Sequence, residues 1–144
     1  MKGRVLGMDL GLKRTGLAVS DELRLTTRAL DNWTPGSRAY DVQRVLDLCD
    51  ELNIAVVVIG YPLLPRSGEE GPMGRRARGF CEALQSAFSE KQSPVVVCLR
   101  DESYSSKQAA VRLYESGLSQ KKRRSSLDGE AARILVEDYL AMNS

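Results

Sequence analysis

The sequence predicts an α/β domain with a mixed β-sheet flanked by helices. Two observations carry this reading. Three strand-like segments open the chain as consecutive hairpin partners, and from residue 38 onward helical periodicity alternates with short β-branched runs. The chain has 144 residues, 42% of them hydrophobic, which suits one domain over residues 1–144 with a buried core and excludes intrinsic disorder.

Taken in order, Arg4 to Leu10 reads as a buried strand, Gly11 to Arg14 as a turn, and Thr15 to Ser20 as a second strand paired with the first. Leu25 to Leu30 fits a third. Arg38 to Leu52 places Val42, Val45, Leu46 and Cys49 at helical spacing behind a Pro35-Gly36 turn, with Ser37 as the N-cap. Ile54 to Ile59 is a continuous β-branched run ended by Gly60, as in a central strand covered on both faces. Tyr61 to Gly74 holds three prolines and three glycines and reads as a long loop. Arg76 to Phe88 then predicts a helix, Val95 to Leu99 a buried strand, Lys107 to Ser116 a short helix stopped by Gly117, and Leu127 to Met142 the last helix.

Composition removes several chemistries. The chain contains no histidine, so a Ser-His-Asp triad, a Cys-His pair and an imidazole-ligated zinc site are excluded. Cys49, Cys81 and Cys98 are odd in number and lack C-x-x-C spacing, which points away from a disulfide framework and towards a reducing compartment. No apolar run approaches the roughly 20 residues of a membrane span, and MKGRVLGMDLG lacks the apolar core of a signal peptide. A cytoplasmic protein without membrane contact is expected. The net charge of +2 says little until the charges are placed.

Three carboxylate positions carry the chemical signal. Asp9 lies near the end of an apolar strand, on the face of Val5 and Gly7 by side-chain alternation. Burying a lone carboxylate there costs several kcal/mol or more, so a positive partner is expected. Lys13 and Arg14 are the structural alternative. Asp101 and Glu102 follow a second central strand, at the kind of strand end where α/β sheets gather ligands. Asp128 falls in register with Ala131, Ala132, Leu135, Tyr139 and Met142 on what should be a buried helix face, although a capping box with Ser125 would also account for it. Asp9, one or both of Asp101 and Glu102, and Asp128 can converge at one end of one sheet. Such a set of hard oxygen donors, without imidazole or thiolate, selects Mg²⁺ or Mn²⁺. Two such ions about 4 Å apart can activate a water and stabilise the leaving oxygen of a phosphodiester.

Basic residues are placed to meet a phosphate backbone. Lys121, Lys122, Arg123 and Arg124 precede the predicted last helix, and Lys13 and Arg14 occupy the first turn. Arg75, Arg76 and Arg78, around the start of the helix predicted from Arg76, could meet the same backbone. Trp33 and Tyr61 are the loop aromatics that could stack on a base, with packing at the rim of the fold the favoured alternative for both.

The opening G-x-D-x-G-x-K-R-x-G-x-A-x-S-D, from Gly7 to Asp21, resembles the signature of the pre-16S ribosomal RNA nucleases, also called the YqgF or RuvX-type Holliday junction resolvase-like family. Val58 to Leu63, Phe80, Asp101-Glu102 and the closing KKRRSSLDGEAARIL at Lys121 to Leu135 extend the resemblance over nearly the whole chain. It implies an RNase H-like fold, with catalytic acids at Asp9, Glu102 and Asp128 and with Asp101 as neighbour or substitute in binding metal. It also implies processing of the 5′ end of pre-16S RNA in ribosome biogenesis. Cutting of branched DNA and RNA binding by a weakened site are the alternatives. One departure stands out: the family pattern continues Asp-Glu with an arginine and a threonine pair, where this chain has Ser103, Tyr104, Ser105 and Ser106. The expected partner is a nucleic acid, and the expected state a monomer or weak homodimer.

Overall fold

A computed structural model describes residues 3–101 and 120–143, with side chains described through residue 101 and again from 129 to 143. Five strands, β1 (Arg4–Leu10), β2 (Thr15–Ser20), β3 (Thr27–Trp33), β4 (Ile54–Tyr61) and β5 (Val96–Asp101), form one sheet in the order β3-β2-β1-β4-β5. The two hairpins pair antiparallel, whereas β4 joins β1, and β5 joins β4, in parallel. The sheet is therefore mixed, and β1 is its centre.

Alternation along the strands feeds two cores. Leu6, Met8, Leu17, Val19, Val57, Ile59 and Val97 point to one face, where they meet α1 (Arg38–Leu52) and α2 (Pro72–Glu90) through Val45, Leu46, Phe80 and Leu84. Val5, Ala18, Val56 and Val58 point to the other, where Ala132 and Val136 of α3 (Gln120–Met142) cover them. The helices thus sandwich the sheet. No helix among the described residues is long and apolar enough to cross a membrane.

Local chemistry sets most boundaries. The Ser37 hydroxyl accepts from the Tyr40 amide at 3.1 Å and starts α1. Asn53, in the left-handed region at φ 55°, ends it by donating its amide to the Cys49 carbonyl. Val45, Leu46 and Cys49 form the buried stripe, as the spacing predicts.

Other boundaries differ from the sequence reading. Leu25 is exposed and lies before β3, which runs on to Trp33. Helix α2 begins inside the expected loop, because Pro72 at its first position lacks an N–H that the helix could not have used. The last helix is described from Gln120, so Ser125 lies inside it rather than at its start, and Lys121 to Arg124 also belong to the helix. Lysine and arginine are good helix formers, and no glycine or proline interrupts this stretch. Met142 is exposed, so the buried face ends before it. The helix expected over Lys107 to Ser116 lies outside the described residues.

Candidate active site

The carboxyl end of β1 is built to hold Asp9 over an open floor. Asp9 is half-buried and pairs across the hairpin with Gly16. On the other side Met8 pairs with Ile59, which puts Gly60, the next residue of β4, beside Asp9. The carboxylate is thereby flanked on both neighbouring strands by residues without side chains. Val5 and Gly7 share its face, as alternation predicts, and this is the face that α3 covers.

Helix α3 approaches this face closely at one point. A Cβ on Gly7 would lie 2.7 Å from the Ala132 carbonyl oxygen and 2.6 Å from a Val136 methyl. Thr27, near the far end of the sheet, receives Arg133 and donates to Glu137, while Gly129 packs on Ala29 in the row of Gly7. The helix therefore runs antiparallel to β1. Asp128 precedes Gly129, on the side of the Ala132 contact that leads to the start of α3. The Asp128 side chain, with those of Lys121, Lys122, Arg123 and Arg124, lies outside the described residues.

Asp101 takes a different position. It ends β5 opposite Tyr61 and is exposed. Val97 and Leu99, which share its face, pack among α1 and α2, so Asp101 and Asp9 are on opposite faces of the sheet. Arg100 is half-buried beside Gly60 on the Asp9 face. Two strand spacings, about 10 Å, separate it from Asp9. Glu102 and Ser103 lie outside the described residues.

The turn after Asp9 is tight and braced. The Gly11 amide donates to the Arg14 carbonyl at 3.0 Å, and a Cβ at Gly11 would meet that oxygen at 2.4 Å, so only glycine fits. From α2, Arg76 donates to the Gly11 carbonyl at 2.7 Å. The sequence suggests Arg76 only as one of several cations for a phosphate, since a bond to a residue 65 positions away leaves no local signal. Lys13 and Arg14 stand exposed at the tip.

Other parts of the opening motif are structural here. The Ser20 hydroxyl accepts from the Val5 amide at 2.9 Å and donates to the Asp21 carbonyl. Asp21 accepts from the Thr26 and Leu25 amides, which hold its carboxyl below the usual range and close the β2–β3 turn. Tyr61 is also structural, donating to Glu70 at 3.0 Å. Burial pushes the Cys49 thiol up to about 12 and Cys81 to about 11, so both are neutral at ordinary pH.

Among the described residues no three acids, cysteines or histidines come together as metal ligands. Asp9 is itself a hard oxygen donor, of the class that Mg²⁺ and Mn²⁺ prefer, and glycines flank it on both neighbouring strands.

Comparison with known proteins adds the family context. The model of the family described as "RuvX: Holliday junction resolvase" matches residues 3–142. A relative from Anaeromyxobacter sp. (strain K), named "Putative pre-16S rRNA nuclease", is 38% identical over 137 residues, 95% of this chain and 96% of the relative. A Geobacillus sp. (strain WCH70) protein of the same name is 34% identical over 95% of this chain and 96% of its own length. Among solved structures, RuvC of Thermus thermophilus in complex with a Holliday junction superposes with a TM-score of 0.59 at 21% identity, covering 99% of this chain and 96% of that one. The fowlpox virus Holliday junction resolvase does so with 0.57 at 16% identity, over 98% of this chain and 99% of that one. These superpositions identify the fold as RNase H-like.

Proposed function

The chain belongs to the RuvX family, and from that membership we propose that it is a metal-dependent nuclease hydrolysing phosphodiester bonds in the precursor of 16S ribosomal RNA. The observation that carries the reading is Asp9, a half-buried carboxylate at a central strand end with glycine on both neighbouring strands. A carboxylate there serves packing poorly. It suits a site where an ion and a phosphate must come close.

In this proposal Asp9, Glu102 and Asp128 hold Mg²⁺ or Mn²⁺. Asp101, on the face of the sheet opposite Asp9, is set aside as a ligand. An ion held by these residues would supply a lowered pKa for a water and compensation for charge on the leaving oxygen. The protein's own groups do the rest. Gly16 and Gly60 put no side chain beside Asp9 on the two neighbouring strands, which favours the close approach of a scissile phosphate. Arg76 holds the turn that follows Asp9, which limits the carboxylate's excursions. Lys13, Arg14 and Arg100 on the strand-end side, with Lys121 to Arg124 at the start of α3, supply positive charge along the path of the backbone.

Cleavage of a structured RNA carrying the 5′ end of pre-16S RNA, beside a four-way DNA junction, tests this in Mg²⁺ and in Mn²⁺. The native protein should cut the RNA, and Asp9→Asn should lower the rate at least about a hundredfold with an unchanged melting temperature. Junction cutting without RNA cutting would move the substrate to branched DNA. Full activity in Asp9→Asn would remove Asp9 from the chemistry.

A further inference from the structure

Behind β1, on the face opposite Asp9, lies a cavity of about 290 Å³. Met8, Leu10, Phe80 and Trp33 give it apolar walls, and buried Thr15 adds a hydroxyl. Arg38 of α1 and Arg76 of α2 also line it. No carboxylate among the described residues forms an ion pair with either guanidinium. Asp41, the acid in the wall, is already engaged by Arg44 and by the Gly36 amide, which approaches both its oxygens at 3.2 Å. Arg76 spends one N–H on the Gly11 carbonyl, leaving others of its five donors.

We propose that this cavity is a subsite for one nucleotide unit, its base against the Trp33–Phe80 wall and its phosphate between Arg38 and Arg76. The chemistry selects the ligand. An apolar, aromatic wall wants a flat ring, and two guanidiniums with no ion pair among the described residues want an anion with several acceptor oxygens. The volume sits at the small end of ligand pockets, roughly 300 Å³, which suits one nucleotide and not two. The Arg44 guanidinium lies 4.4 Å from the Trp33 ring centroid and also over Tyr40, holding the indole in place. The same unit can come from a free nucleotide or from a single strand that passes over the β1–β2 turn.

Trp33 is the chain's one tryptophan, so its emission reports on this cavity alone. Asp9→Asn protein in EDTA is titrated with each nucleoside 5′-monophosphate, with adenosine, with inorganic phosphate and with a short 5′-phosphorylated single-stranded RNA. Because this arrangement permits no cleavage, its result is independent of the nuclease reading. A saturable change with at least one monophosphate is expected at a Kd near or below about 1 mM, with adenosine and phosphate each at least about tenfold weaker. Arg38→Gln, an exposed position whose change should leave the fold intact by circular dichroism, should weaken binding about tenfold. RNA binding tighter than the monophosphate through the same arginine identifies a strand as the occupant, and equal or weaker RNA binding identifies a free nucleotide. No saturable change with any monophosphate or the RNA, or binding unmoved by Arg38→Gln, overturns the subsite.

Discussion

With Val5 buried and a strand period of two, Asp9 lies on the face of β1 that α3 covers. The company on that face comes from distant parts of the chain. Gly7 looked like one letter of a motif, yet its function is to let the Ala132 carbonyl and a Val136 methyl descend onto β1. Gly16 and Gly60 became neighbours of Asp9 only through strand register, which depends on pairing between segments far apart in the chain. Ser20 and Asp21 moved the other way, from motif letters to groups that close a backbone. The consequence at Gly7 can be measured. An added methyl would overlap a backbone oxygen that a helix holds in place, so Gly7→Ala should cost about 1–3 kcal/mol and lower the urea midpoint. A midpoint equal to that of the native protein would show that α3 does not press on β1 as closely as 2.7 Å.

Elements were easier to foresee than their limits. Helix α1 followed its periodicity and its cap, and β4 its β-branched run. The start of α2 was missed because a proline near glycines resembles a loop, although proline at a first helical position is a start signal. The start of α3 was missed because Ser125 and Asp128 imitate a capping box inside a sequence that stays helical from Gln120. The segment between β4 and α2 has its own anchor. Arg78 donates to Glu70 at 2.7 and 3.1 Å, and Tyr61 donates to the same carboxylate. The Arg78 guanidinium holds Glu70 below the usual carboxylate range, with Tyr61 adding to the effect. A depressed carboxylate contributes stability above its unfolded pKa and loses it as pH falls through the folded one. Glu70→Gln should therefore lower hydrogen-exchange protection at the Leu64 and Gly68 amides, which are bonded within this segment. In the native protein the same protection should decline as pH drops below about 4.5. Protection that is indifferent to both changes would mean that the anchor does not hold the segment.

For the molecule as a whole, the candidate acids come from a central strand, a parallel strand two places away and a helix on one face. No local pattern could show that these meet. Sequence spacing suggested convergence at one sheet end, and the described strands turn Asp101 to the face opposite Asp9. Charge belongs to the same proposal: Lys121 to Arg124 lie in the first described turns of α3, and the role proposed for them is to bind the phosphate backbone without taking part in the chemistry. Replacing all four with Ala should flatten the dependence of log K on log salt by up to about one unit for each phosphate no longer neutralised, since fewer counterions are released. Alanine is the best helix former, so the fold should hold. Asp9→Asn should keep the native slope, because it removes no cation. At saturating RNA the four-alanine protein should recover part of its cleavage rate, as expected when only uniform binding is weakened and the transition state is stabilised as before. An unchanged salt slope would assign these residues to a solvated helix end and leave Lys13, Arg14 and Arg100 as the cations that meet the backbone.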